Sequence, residues 1–162
     1  MVVGGALIVP IGLLNKLQGT SKSKPQMFAR ETKRVEMFAM NAVMAAEKKL
    51  GYKPKDVSSL KYGYDIESCI PETGALRFIE VKGRIEGAET VTVTKNEIIT
   101  ALNKPNNYIL AVVEVPTSEE STEEDISNVY YLRQPFQKEP DFGVTSVNYD
   151  LKELKQRGQK PF

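Results

Sequence analysis

A run of eight residues in the middle of the chain, YILAVVEV at 108–115, is apolar at nearly every position. A strand with one face in water alternates apolar and polar side chains, whereas a strand covered on both faces is apolar almost throughout. The run therefore predicts a central strand with layers packed on both sides of its sheet. A chain of 162 residues is long enough for one such core. We expect an α/β domain with a mixed central sheet flanked by helices.

The chain has no histidine and a single cysteine, Cys69. These facts exclude histidine-ligated zinc, Ser/His/Asp or Cys/His catalysis and an internal disulfide, so any chemistry must use carboxylates and amines. A reducing cytoplasm is the expected location. The formal charge of +1 gives no global attraction to nucleic acid or to a membrane. Residues 1–14 are apolar but lack a basic start and the length to span a bilayer, so we predict a buried strand over 2–9.

Helix signals bound residues 24–50. Ser23 and Pro25 suit a helix start, and Gly51 suits its end. Apolar side chains at helical spacing form a core-facing stripe: Val35, Phe38, Ala39, Ala42, Val43, Ala46 and Leu50. Glu36 and Glu47 border this stripe. The simplest interpretation of Glu47 is that its carboxylate extends past the stripe into water. For Glu36, the same interpretation and a functional role are equally open.

Two predicted strands, 62–68 and 76–82, are joined by a four-residue turn, Pro-Glu-Thr-Gly at 71–74. If Ile70 faces Ala75, the register pairs Ile66 with Ile79 and Asp65 with Glu80. Because side chains alternate along a strand, Lys82 shares the face of Glu80. We therefore predict that Asp65, Glu80 and Lys82 converge.

Two acids directly opposite each other destabilise a sheet unless a positive charge lies near them. Lys82 alone can supply that charge, which would make the cluster structural. A hard cation such as Mg²⁺ can also supply it, polarising a phosphate and activating water while Lys82 offsets charge in the transition state. The residue types leave both interpretations open.

Beyond this hairpin, Thr94 and Glu97 have the spacing of a capping box, which predicts a second helix that ends before Pro105. Further strands are predicted at 129–132 and 144–151. Three basic residues, Lys61, Arg84 and Lys95, lie at the ends of the elements that bear the acids. They are either solvated surface charges or contacts for a phosphate backbone.

The arrangement of Glu36 on a helix, Asp65 on a strand and Glu80-Val81-Lys82 on its partner resembles the PD-(D/E)XK nuclease superfamily. More narrowly, the segments GYDI at 63–66, FIEVKGR at 78–84 and TKNE at 94–97 resemble the "protein NO VEIN, C-terminal" domain family. The resemblance covers about residues 35–115. Tyr64 stands where the superfamily usually has a proline before the aspartate.

The resemblance implies a restriction-endonuclease-like fold over 1–162, with its core at about 24–115 and the terminal strands as additions. It implies Asp65 and Glu80 as ligands of Mg²⁺ or Mn²⁺, Lys82 as the catalytic lysine and Glu36 as an auxiliary acid. The implied activity is phosphodiester hydrolysis in DNA, in a fragment of a larger chain that carries a helicase-like domain, with no membrane partner. The alternative is a catalytically silent module that binds nucleic acid or a partner of such a helicase.

Overall fold

The structure is a computed structural model and describes residues 24–117 and 128–162. Its helices there are α1 (Lys24–Lys49), α2 (Lys95–Asn103) and α3 (Leu151–Arg157), with a 3₁₀ turn at Ser58–Leu60. Its strands are β1 (Lys53–Asp56), β2 (Ile66–Cys69), β3 (Leu76–Ile85), β4 (Thr90–Thr94), β5 (Tyr108–Val115), β6 (Val129–Arg133) and β7 (Ser146–Asp150). The chain divides into two compact units, Met1–Arg34 and Val35–Phe162, and the sheet and site below belong to the second. The strand predicted over 2–9 lies outside the described residues.

The main sheet has five strands in the order β1–β2–β3–β5–β6. The β3–β5 pair is parallel and the other neighbouring pairs are antiparallel, so the sheet is mixed. Strands β4 and β7 form a separate antiparallel pair. The predicted α/β fold with a mixed sheet is confirmed, and it is consistent with a restriction-endonuclease-like architecture.

Alternate residues of β5 belong to two different cores. Ile109, Ala111 and Val113 pack with apolar residues of α1 on one face of the sheet. On the other face, Leu110 and Val112 pack with α2, α3 and β4. Layers on both faces explain why the β5 sequence is apolar at nearly every position. Among the helices in the described ranges, none is long and apolar enough to cross a membrane.

The register predicted for the hairpin is confirmed. Ile66 pairs with Ile79, and the amide of Ile70 donates a hydrogen bond to the carbonyl of Ala75 at 2.9 Å. The predicted strand at 144–151 is shorter, since the Asp150 side chain caps α3 and the helix begins at Leu151. Strands β1 and β4 and helix α3 were not predicted. β1 and α3 are short, and β1 is mostly exposed, whereas β4 alternates threonine with two buried valines, a strand signal that the sequence analysis did not use.

The expectation that Glu47 reaches water is wrong, because this side chain is fully buried. Its Oε1 accepts hydrogen bonds from the Arg77 guanidinium at 3.1 Å and from the Tyr131 hydroxyl at 2.9 Å. Arg77 also donates to the carbonyl of Phe162 at 2.6 Å. Residues distant in sequence thus supply a cation and a hydroxyl donor to Oε1 of this buried carboxylate, while its Oε2 has no hydrogen-bond partner among the described residues.

Helix α1 passes very close to β3 at Gly83. A Cβ added to Gly83 would lie 2.8 Å from the Cβ of Ala39 and 2.9 Å from the carbonyl oxygen of Val35. We therefore expect Gly83→Ala to lower the free energy of unfolding by about 1–3 kcal/mol through overpacking. Urea denaturation measures the loss. Gly143→Ala is the matched control, because no atom lies within 4 Å of its added Cβ. Equal stability of the two variants would contradict this close approach.

Candidate active site

A cavity of about 450 Å³ opens between α1, β3 and the start of α2. Its lining includes Glu36 from α1, Asp65 from the segment before β2, and Glu80 and Lys82 from β3. Glu97, from the first turn of α2, completes the group. The structure thus brings the four residues predicted for catalysis to one cavity. It adds a further acid, Glu97, to them.

Asp65 is attached to β3 by two hydrogen bonds on either side of Glu80. Its amide donates to the carbonyl of Ile79 at 2.9 Å, and its Oδ2 accepts from the amide of Val81 at 3.0 Å. The carboxylate is therefore held by backbone on a central strand. Its position is fixed by the sheet register rather than by a flexible loop.

Lys82 bridges two carboxylates. Its Nζ lies 2.7 Å from Glu80 Oε1 and 2.7 Å from Glu97 Oε2. The lysine side chain is 16% exposed, and the Glu80 and Glu97 side chains are 5% and 14% exposed. Such short and partly desolvated ion pairs hold the ammonium group firmly in the cavity.

Glu97 has two roles at once. The predicted capping box is confirmed, since the Thr94 side chain accepts from the amide of Glu97 and the Glu97 carboxylate accepts from the amide of Thr94 at 3.0 Å. The same Oε2 atom that accepts from Thr94 pairs with Lys82. The start of α2 is thereby tied to the charged group on β3.

Burial and mutual repulsion dominate the electrostatics. Burial raises the pKa of Glu80 to about 8, with Asp65 and Glu97 adding to the rise and Lys82 opposing it. Burial also raises the pKa of Asp65, against the lowering effect of the Val81 amide and Lys82. Burial alone would lower the pKa of Lys82, but the Glu80 and Glu97 carboxylates hold it above its usual value. The cluster therefore has an excess of acids that one ammonium does not neutralise.

The donor set of the cavity suits a hard cation. Asp65 and Glu80 offer carboxylate oxygens, which Mg²⁺ and Mn²⁺ prefer, and a cavity of this size admits waters and a phosphate. Within the described residues, no three acidic or thiol side chains lie close enough together to hold a metal by themselves. Two carboxylates with waters and substrate oxygens are the usual arrangement for Mg²⁺, so the residues present fit that ion.

The structure separates the three basic residues predicted to contact a phosphate. Lys61 is exposed and lines a second cavity of about 240 Å³, which shares Asp65, Glu80 and Glu97 with the larger one. Lys95 pairs with Glu139 at 3.7 Å, and neither Lys95 nor Arg84 lines the two cavities. Of the three, Lys61 is the one that the fold brings to the acids.

Sequence reasoning missed two polar residues of the lining, Asp56 and Ser58, and it missed the second role of Glu97. Asp56 Oδ1 accepts from the amide of Ser58 at 2.9 Å, which looks in sequence like an ordinary turn. Glu97 was accounted for by its capping spacing. Glu97 also belongs to the TKNE segment that resembles the family, and this membership could have indicated a role in the site. The capping box explained the same segment, so the second role was not predicted.

One family model, described as "Protein NO VEIN, C-terminal", matches residues 35–127 of this chain. The match spans α1 from its first core residue, both strands of the hairpin, and α2 with β5, and it contains every acidic residue of the cavity named above. No curated protein and no solved structure matches the chain.

The raised pKa of Glu80 predicts a pH dependence of stability. A carboxyl whose pKa is higher in the folded than in the unfolded state stabilises the fold at low pH, and this contribution is lost as the pH rises from about 4.5 through about 8. Gln cannot titrate, so Glu80→Gln should gain stability relative to wild type across that interval. Urea midpoints at both ends measure the change. Glu72→Gln, the same acid-to-amide change in the exposed turn after β2, is the matched control. If the urea midpoints of Glu80→Gln and wild type changed equally with pH, the raised pKa of Glu80 would be contradicted.

Proposed function

Since this chain belongs to the "Protein NO VEIN, C-terminal" domain family, we propose that it is a nuclease-like domain of the PD-(D/E)XK superfamily. Its proposed reaction is the hydrolysis of phosphodiester bonds in DNA with Mg²⁺ or Mn²⁺. The observation that carries the proposal is the convergence of Asp65, Glu80 and Lys82 on one cavity, with Glu36 at its rim. Glu80 and Lys82 come from β3, Asp65 from the segment before β2, and Glu36 from α1.

In this proposal Asp65 and Glu80 hold the metal ion, which supplies a Lewis acid for the phosphate when bound. Lys82 stays in the cavity through Glu97 and offsets the negative charge that develops on the phosphate. Hydrolysis consumes one water, whose oxygen bonds to phosphorus as one phosphorus–oxygen ester bond breaks. The departing oxygen takes up a proton. In this proposal Glu36, which is exposed and lines the cavity, is the auxiliary acid that orients water.

The wider setting is also a proposal. The resemblance supports a larger parent chain in which this domain of residues 1–162 is attached to a helicase-like domain. The single cysteine supports a cytoplasmic location.

A second candidate is a catalytically silent module that binds nucleic acid or a partner subunit. The observation favouring it is the pairing of Lys82 with both Glu80 and Glu97 at 2.7 Å, which neutralises part of the cluster without any ion. The two experiments below separate the candidates.

Lys82→Ala should abolish metal-dependent cleavage of labelled DNA and leave DNA affinity nearly unchanged. Charge stabilisation in the transition state need not contribute to ground-state binding. Gel assays with Mg²⁺, Mn²⁺ or chelator measure cleavage on single- and double-stranded DNA and RNA. Lys104→Ala is the control, because Lys104 lines a separate cavity. Equal cleavage by Lys82→Ala and wild type would indicate a contaminating nuclease, and no cleavage by either would favour the silent module.

The metal site can be tested without substrate. Asp65→Asn relieves repulsion among the acids, so in chelator this variant should melt at or above the wild-type temperature. Added Mg²⁺ should stabilise the wild type by roughly 1.4 kcal/mol at ten times its Kd and should scarcely affect Asp65→Asn. Thermal melts measure both effects, with and without an uncleavable oligonucleotide. A variant that melts well below wild type, with no Mg²⁺ response in either protein, would favour the purely structural cluster.

A further inference from the structure

Three aromatic rings form a row that ends in solvent beside the acidic cavity. The Tyr62 and Tyr64 ring centroids are 5.9 Å apart, and those of Tyr64 and Phe78 are 4.9 Å apart. Tyr64 is 8% exposed, whereas Tyr62 at the outer end is 52% exposed. The inner rings therefore support an outer ring that offers much of its surface to solvent.

The backbone beneath Tyr62 is held in place. Gly63 has a φ of +85°, and a Cβ added there would overlap the Thr100 hydroxyl of α2. The carbonyl of Gly63 accepts a hydrogen bond from the buried Tyr108 hydroxyl at 3.2 Å. A ring on an anchored backbone loses little conformational freedom on binding, which is the property of a preorganised contact.

The residue on the other side of Tyr62 is a cation at the cavity. Lys61 ends the 3₁₀ turn in the left-handed conformation, with φ of 54°, and it lines the cavity of about 240 Å³ together with Gly63 and Tyr64. That cavity shares Asp65, Glu80 and Glu97 with the larger one. Lys61 thus lines the smaller cavity, and the exposed ring of Tyr62, the next residue in the chain, packs on Tyr64, which lines the same cavity.

We propose that Tyr62 and Lys61 form a subsite for one unpaired nucleotide, whose base stacks on Tyr62 and whose phosphate contacts Lys61. This inference rests on the proposed function and names its substrate class: single-stranded nucleic acid or an unpaired strand end. Stacking on a side chain requires a base that is free of its neighbours, and such stacking tolerates any sequence.

The charges of the cavities disfavour a duplex. Among the residues that line the two cavities, Lys61 and Lys82 are the cations, against the acids Glu36, Asp56, Asp65, Glu80 and Glu97. A protein that follows a duplex neutralises several successive phosphates with lysine and arginine. Lys82 is already paired with two acids, so Lys61 is the lining cation left to contact a phosphate, which suits one nucleotide of a single strand.

The test measures binding of fluorescein-labelled oligothymidine, oligouridine and a blunt DNA duplex by anisotropy, with Mg²⁺ and in the Lys82→Ala background. Tyr62→Ala should weaken binding of the single strands by about 5- to 100-fold, and Tyr62→Phe should retain it. Lys61→Ala should reduce the slope of log affinity against log salt by about 0.7. Leu60→Ala is the matched control, since Leu60 is a neighbouring apolar side chain with 51% exposure. Melting temperatures verify that each variant is folded.

Unchanged affinity of Tyr62→Ala for single strands would overturn the proposal, and so would tighter binding of the duplex than of either strand. An equal loss from Leu60→Ala and Tyr62→Ala would overturn it in favour of an apolar protein contact. Cleavage by the wild type with no effect of Tyr62→Ala would remove this subsite and leave the proposed function standing. Absence of any nucleic-acid binding or cleavage by the wild type would overturn both.

Discussion

Strand β3 lies at the centre of a sheet that is covered on both faces, and it places charged side chains inside one of the covering layers. Glu80 is 4% exposed, so its charge must be matched by groups from the protein itself. Lys82, two residues along the same face, is the nearest match. The hydrogen bond from Val81 to Asp65 and the ion pair from Lys82 to Glu97 then tie the start of β2 and the start of α2 to this one strand. The site is thus a consequence of how the sheet accommodates a buried acid.

The ion pair between Lys82 and Glu80 would also affect how a cation binds in the cavity. If a divalent cation bound Asp65 and Glu80 as proposed, it would compete with Lys82 for Glu80, and Glu97 would give the ammonium a second partner 2.7 Å away. Without Glu97, that ammonium would lose its remaining partner in a largely buried environment, which costs free energy. The pairing with Glu97 would therefore keep Lys82 in the cavity whether or not an ion were bound.

Several features that local sequence determines were predicted correctly, although β4 was missed despite its alternating Thr-Val sequence, and features that depend on distant contacts were not predicted. The apolar run of β5, the hairpin register set by a four-residue turn, and the capping box at Thr94 all follow from residues near one another in the chain. The burial of Glu47 depends on Arg77 and Tyr131, 30 and 84 residues away. The contact of Glu97 with Lys82 depends on how β4 and α2 return to β3. Sequence patterns of a few residues carry no information about contacts between elements that are distant in the chain.

Two glutamates, Glu47 and Glu80, are buried within the described part of the chain, and their surroundings differ. Glu47 pairs with Arg77, a planar guanidinium that also donates to the carbonyl of Phe162 and lies 4.8 Å from the centre of the Tyr52 ring. Arginine stays charged and holds this carboxylate in a fixed geometry within the core. Glu80 instead pairs with a lysine, whose single charged nitrogen moves on a flexible stem, and it lines a cavity large enough for an ion, waters and a phosphate. Burial is common to both acids, so burial alone does not indicate chemistry. Access to an open cavity separates them, since Glu80 lines one and Glu47 lies in the core, and this access supports the role proposed for Glu80.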